Sequence, residues 1–137
     1  TGPNGASLFP PEQLSPDSIQ LLAADVFGFQ QLNSVYTASY GEHDSALVAF
    51  VSPRSSPEEA RALALAYGHF LIQFGGQPAP EPYSFEAGQI IEIMDTYEVV
   101  FTSGVYLAGV HEAENRAIAE QLAHRLMRHL MKVTDGS

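Results

Sequence analysis

The residues best suited to chemistry in this 137-residue sequence are His111, Glu112 and Glu114, which follow a strand-like run and precede a helical one. One imidazole and two carboxylates could bind a metal ion. The metal-binding helix of zinc proteases, however, needs a second histidine four residues after the first, and that position is Asn115. The start of a helix also favours anions over cations. We therefore expect these side chains to cap the helix and to bind no metal.

A second interpretation of the same junction is a ligand site. Tyr106 lies in the strand-like run just before it, and with His111, Glu112 and Glu114 it could line a pocket for a small ligand or a metal ion. This interpretation stays open beside the capping role, because the sequence names no ligand.

Other chemical motifs are weak. Glu42, His43 and Asp44 could form a cation site on a predicted hairpin tip, but a solvated turn has the same composition. The glycine pair Gly75-Gly76 follows a predicted helix, unlike a phosphate-binding loop, and no serine lies in a G-x-S-x-G turn. We therefore predict no catalytic residues and no cofactor, and a protein that is more readily explained without enzymatic activity.

The charge is strongly acidic and unevenly placed. The net charge is −10, and 12 of the 16 acidic residues but only Arg54 and Arg61 among the bases precede His111. Such a surface repels phosphate backbones and anionic membranes and attracts basic protein surfaces. No apolar run approaches the ~20 residues of a membrane-spanning helix. We expect a protein partner or self-association, and neither nucleic-acid binding nor membrane insertion.

The elements that position these residues follow the order ββαβββα. The patterns predict a hairpin from Val35–Tyr40 and Ala46–Ser52, and a helix that Ser56 caps and that ends at Gly75-Gly76. Three strands with turns at Asp95-Thr96 and Ser103-Gly104 come next, and a second helix starts between Glu112 and Asn115. The predicted fold is α+β, with an antiparallel sheet of about five strands and two amphipathic helices packed on one face.

The flanking segments complete the predicted organisation. Residues 1–16 form an extended Pro-rich tail, 17–133 a single domain that starts with a short helix or turn, and 134–137 a C-terminal tail. The tail has Leu8, Phe9 and Leu14, which could dock on their own domain or on a neighbouring subunit. A Pro-rich loop from Gln77 to Ala87 has Tyr83 and Phe85, which could pin the loop or contact a partner.

The chain from about Ser15 to Leu130 resembles an uncharacterised bacterial family, domain of unknown function 6599. The resemblance is most specific at Phe27-Gly28-Phe29 and in the run from Ala108 to Glu114. It implies an exported protein with an extracytoplasmic location, and it supplies no activity.

Three functions follow from these observations. The first is a non-enzymatic, exported binding or assembly module that acts through protein contacts. The second is an enzyme, or a small-ligand or metal-binding domain, with a pocket near His111. The third is a repeating subunit that its N-terminal tail joins to its neighbours.

Overall fold

A single antiparallel sheet organises the part of the chain that the computed structural model describes, which is residues 5–41 and 47–135. The seven strands found there lie in the order β1-β2-β3-β7-β6-β5-β4. The elements are β1 (Gln20–Leu22), β2 (Val35–Tyr40), β3 (Leu47–Pro53), α1 (Pro57–Gln73), β4 (Gln77–Pro78), β5 (Gln89–Ile93), β6 (Thr96–Ser103), β7 (Tyr106–Ala113) and α2 (Arg116–Asp135). The predicted α+β class is confirmed.

The predicted meander is also present, because β5, β6 and β7 pair in sequence order. The β5–β6 turn consists of Met94 and Asp95, both with left-handed backbone (φ 51° and 66°), so it lies one residue earlier than predicted. The second turn lies at Gly104-Val105, one residue later than predicted. The tight first turn leaves the Met94 side chain 86% exposed beside α1.

The prediction of about five strands missed the two edge strands. β1 lies where a short helix or turn was expected, and it pairs with β2 through Leu21 and Tyr36. β4 lies in the predicted Pro-rich loop, where Pro78 is opposite Ile91. Strands of two or three residues are too short to show a period in the sequence, and their pairing with a neighbouring strand defines them.

The prediction that both helices pack on one face is wrong. In β6, Val99 and Phe101 belong to the core under α2, whereas Val100 belongs to the core under α1. The two helices therefore cover opposite faces of the sheet. The continuous apolar run at Val99–Phe101 is what a strand with two buried faces requires, because alternate residues point to opposite sides.

Both helices have side-chain caps. Ser56 Oγ accepts a hydrogen bond from the Glu59 amide (3.0 Å), which confirms the predicted start of α1. In α2, Asn115 Oδ1 accepts a hydrogen bond from the Ile118 amide (3.0 Å). The helix thus begins later than predicted, and the capping role expected of His111, Glu112 and Glu114 belongs to Asn115. α2 also continues to Asp135, beyond the predicted end of the domain.

The N-terminal segment is not an extended tail over its described part. Gly5–Leu8 form a 3₁₀ turn, and Leu8 and Phe9 are buried (0% and 2% exposed) in the core under α2. Tyr40 donates a hydrogen bond from its hydroxyl to the Pro10 carbonyl (2.6 Å). The backbone of Leu14 forms an isolated antiparallel β-bridge with Tyr40. Leu8 and Phe9 therefore have little apolar surface to offer a partner.

The long loop before β5 is held in the same way. Phe85 is fully buried, and half-buried Tyr83 donates a hydrogen bond to the Ala79 carbonyl (2.7 Å). Phe85 is thus unavailable for the partner contact considered above. Among the described residues, neither helix is long and apolar enough to cross a membrane.

Candidate functional site

A β-bulge between β6 and β7 organises the candidate site. Val99 pairs with Val110, but Tyr97 pairs with Ala113, so both His111 and Glu112 lie opposite Glu98. Glu112 has left-handed backbone (φ 51°), which re-aims the chain at this point. The bulge turns the Glu112 amide toward the Glu98 side chain.

Glu98 is the buried centre of the cluster, with only 1% of its side chain exposed. Its Oε1 accepts a hydrogen bond from the Tyr67 hydroxyl (3.0 Å) and lies 3.0 Å from His111 Nδ1, while its Oε2 accepts one from the Glu112 amide (2.7 Å). Three partners offset the cost of burying a carboxylate. Burial, together with the neighbouring Glu98 carboxylate, raises the pKa of Tyr67, so this phenol acts as a donor.

The imidazole of His111 is fixed on several sides. Since a carboxylate only accepts hydrogen bonds, Nδ1 is the donor toward Glu98 and carries a proton. Nε2 lies 3.2 Å from Glu112 Oε1, at the exposed side of the ring. Phe27 stacks on the ring, with centroids 3.7 Å apart and planes 14° from parallel. The second ring nitrogen therefore points to a defined place beside an exposed carboxylate.

The position of Phe27 depends on the chain around it. Phe27 has left-handed backbone (φ 56°), and its ring packs edge-on against Phe50 (5.3 Å between centroids). Phe50 in turn occupies space over Gly109, where a Cβ atom would come within 2.7 Å of the Phe50 ring. Phe27 and Glu112, both in strained backbone conformations, thus contact the same imidazole, and such strain persists only where the surroundings enforce it.

A groove of about 390 Å³ opens beside this cluster, between α1 and the β5–β6 turn. One wall is apolar and open to solvent: Phe74 is 66% exposed and Met94 86% exposed. Glu98, His111 and Glu112 form the polar end. The full lining is Phe27, Tyr67, Phe70, Leu71, Phe74, Ile93, Met94, Thr96, Glu98, His111 and Glu112. An apolar wall with a few converging polar groups is typical of a ligand site.

The predicted site residues are only partly brought together. His111 and Glu112 line the groove, whereas Glu114 follows β7 on the exposed surface and is not among the lining residues. Tyr106 is buried in the core under α2, on the opposite face of the sheet. Its predicted place beside His111 is therefore wrong. The two residues are an odd number of positions apart in one strand, and this separation places them on opposite faces.

Sequence reasoning missed Glu98 and Tyr67. Glu98 is a carboxylate in the otherwise apolar middle of β6, between Tyr97 and Val99. That placement is the signal that could have identified it, because a charged residue on the core side of a strand needs partners. Tyr67 lies on the apolar face of α1 with Leu63 and Leu71, and this pattern conceals the role of its hydroxyl.

The metal interpretation gains no support from the residues described. Within residues 5–41 and 47–133, no three His, Asp or Glu side chains are placed to bind a metal ion. The hairpin tip with Glu42, His43 and Asp44 lies outside the described residues.

A second buried glutamate, Glu120, lies on the other side of the sheet. Its Oε1 accepts hydrogen bonds from the amides of Phe85 (2.7 Å) and Ser84 (2.8 Å) and from the Ser84 hydroxyl (3.1 Å). Its Oε2 pairs with Arg116 Nε (2.8 Å). Burial raises the pKa of Glu120, but these hydrogen bonds outweigh it and leave the pKa below its usual value. This carboxylate fastens the loop before β5 to α2.

A comparison with known proteins finds no matching family model, no matching curated protein and no matching solved structure. The resemblance to the bacterial family therefore stays a prediction.

Proposed function

We propose that this chain is a non-enzymatic binding module that contacts a partner protein through the groove between α1 and the β5–β6 turn. The observation that carries the proposal is the exposure of Phe74 and Met94 on the wall of a groove that ends in Glu98, His111 and Glu112. Large apolar side chains left in water beside a concave surface mark interaction sites. An extracytoplasmic location belongs to the same proposal and depends on the family resemblance.

The rigidity of the polar end supports binding. The His111 ring is held by Glu98 on one edge and by Phe27 on one face. A side chain that is fixed before the partner arrives loses little conformational freedom on association, so more of the contact energy appears as affinity.

An enzymatic role for His111 is the second candidate. A buried carboxylate that orients Nδ1 while Nε2 faces a groove is the arrangement of a general base. Glu112 Oε1 lies 3.2 Å from Nε2, however, and would have to move away before this nitrogen could take a proton. The hydroxyls in the lining of this groove are already donors, however: Tyr67 donates to Glu98 and Thr96 to the Ile93 carbonyl (2.9 Å). Catalysis would therefore need a water molecule as the nucleophile. Binding explains the groove without an added nucleophile.

The repeating-subunit hypothesis is less favoured. It requires the N-terminal segment to reach a neighbouring molecule, whereas Leu8 and Phe9 pack under α2 of the same chain.

Selection from a displayed library of random dodecapeptides tests the proposed function. Peptides are enriched on the wild-type protein and then measured against Phe74→Ser and against Leu65→Ser, a matched control on the exposed surface of α1 outside the groove lining. We expect the enriched peptides to lose affinity for Phe74→Ser and to keep it for Leu65→Ser. Failure to enrich any peptide with this dependence would contradict the proposal. Turnover of a selected peptide that His111→Gln abolishes would favour the enzyme.

A further inference from the structure

We infer that the groove accepts a lysine or arginine side chain of a basic partner protein, with the cationic group beside Glu112 and the aliphatic stem against the aromatic wall. This inference rests on the proposed function and specifies the chemistry of the partner.

The charges around the groove favour a cationic ligand. Its lining contains two carboxylates, Glu98 and Glu112, and no lysine or arginine. The Glu112 side chain is 68% exposed and faces His111 Nε2 across 3.2 Å. An anionic group entering here would be repelled by the exposed Glu112 carboxylate, whereas a cation could pair with it. Electrostatic complementarity at such a contact selects between partners.

The lysine and arginine side chains of this chain all lie outside the groove. Arg54 pairs with Glu59, Arg61 with Glu58 and Arg116 with Glu120. The remaining three, Arg125, Arg128 and Lys132, line a separate hollow together with Pro10–Glu12 and His129. None of the six belongs to the groove lining, where the His111 imidazole is the neighbour of Glu112, so a lysine or arginine for this carboxylate has to come from another molecule.

The apolar wall of the groove suits the aliphatic stem of a basic side chain. The rings of Phe70 and Phe74 are 4.8 Å apart, and together with Met94 they lead from solvent toward the carboxylate end. Lysine and arginine bury their methylene groups along apolar surface while the charged end stays near polar groups. Aromatic faces also attract cations at short range. A basic side chain satisfies both ends of this groove, whereas a purely aliphatic one adds no cation beside Glu112.

The total charge of the molecule supports the choice of a protein as the partner. With a formal net charge of −10, the chain attracts positively charged surfaces over distances longer than a single contact. This attraction speeds encounter with a basic protein and weakens as salt screens it.

The test uses the groove-dependent peptides from the selection described above. We expect them to share a lysine or arginine, and replacement of that residue by norleucine, which keeps the stem and removes the charge, to weaken binding by about 10-fold or more in fluorescence anisotropy. Glu112→Gln should cause a similar loss with the original peptide. It should cause little further loss with the norleucine peptide, because the two changes remove one interaction. Glu114→Gln serves as the matched control and should leave the Kd unchanged.

The outcomes separate the two proposals. Groove-dependent peptides that lack a shared basic residue, or that bind equally well with norleucine, would overturn the cation inference and leave the binding module standing. Loss of affinity on Glu112→Gln that is equal for both peptides would also overturn it. If no peptide depends on Phe74, both proposals fail together.

Discussion

Glu98 and Glu120 are both buried glutamates, one on each side of the sheet, and they are held in different ways. Glu120 pairs with the cation of Arg116 and takes two backbone amides from the loop before β5. Glu98 takes the Tyr67 phenol, one backbone amide and the imidazole of His111. The partners of Glu120 fasten one part of the chain to another. One partner of Glu98, the His111 imidazole, has a second nitrogen that faces the groove beside α1.

The comparison shows why a buried charge alone does not identify a site. Both carboxylates have satisfied hydrogen bonds, and the described residues include no buried side-chain polar atom without a partner. The two glutamates differ in what their partners contact in turn. Arg116 reaches the Pro82 carbonyl (3.0 Å) and strengthens the loop contact, while His111 reaches the exposed Glu112 carboxylate.

Removal of the Glu120 carboxylate should give the largest loss of stability. Glu120→Ala leaves Arg116 and the amides of Ser84 and Phe85 without their acceptor. We expect the free energy of unfolding to fall by about 3–5 kcal/mol in chemical denaturation, because the change breaks a buried ion pair on one side only. Glu114→Ala, an exposed control, should change it by less than about 0.5 kcal/mol. A loss below about 1 kcal/mol for Glu120→Ala would mean that the loop holds without this carboxylate.

Glu98→Ala should cost less, about 2–3 kcal/mol, although its carboxylate joins β6 to both α1 and β7, whereas that of Glu120 joins α2 to one loop. Three donors, the Tyr67 hydroxyl, His111 Nδ1 and the Glu112 amide, lose their acceptor, but water from the adjoining groove can replace part of it. The variant should also lose the groove-dependent peptides, because the His111 ring loses its orientation. Stability loss equal to that of Glu120→Ala, together with unchanged peptide affinity, would make Glu98 as purely structural as Glu120.

Local signals in the sequence predicted local structure well. Ser56 and Pro57 determine the start of α1 within one turn of the chain, and the apolar runs of β5 to β7 are long enough to show strand pattern. A one-sided strand pattern predicts both helices on one face, whereas Val99–Phe101 are buried on both faces and require a helix on each. Edge strands depend on their neighbours and left no pattern of their own.

The site was predictable only in part for a related reason. His111 and Glu112 are adjacent in sequence and conspicuous, so composition was sufficient to select them. Glu98 joins them through a bulge whose register is set by tertiary pairing, 13 positions away in the chain. Tyr106 is close to His111 in sequence, but strand alternation places it on the other face of the sheet.

The contribution of Glu120 to stability should depend on pH, and this effect should be smaller than that of removing the side chain. Its folded pKa lies below the ordinary value of 4.5, so its stabilising contribution is complete above that value and is lost as the pH falls through the folded pKa. Each unit of difference between the folded and unfolded pKa is worth about 1.4 kcal/mol. The stability difference between wild type and Glu120→Gln should therefore be constant near neutral pH and shrink below pH 4.5. A difference that grows on acidification has the wrong sign for this explanation.

The smallest expected effects come from removing one hydroxyl on each face. Tyr67→Phe deletes one donor to Glu98 and keeps the ring packed on Phe29 and Phe50, so we expect a loss of about 1 kcal/mol. Tyr83→Phe deletes the bond to the Ala79 carbonyl on the α2 side and should cost a similar amount. The readout that distinguishes them is the ¹⁵N spectrum of His111. Its Nδ1 should remain protonated in both variants, because Glu98 still accepts from it, but only Tyr67→Phe should shift the signal, since only Tyr67 shares the Glu98 oxygen that faces Nδ1. Equal shifts in the two variants would show that His111 senses general loosening of the fold, and the contrast between the two glutamates would then lose its functional meaning.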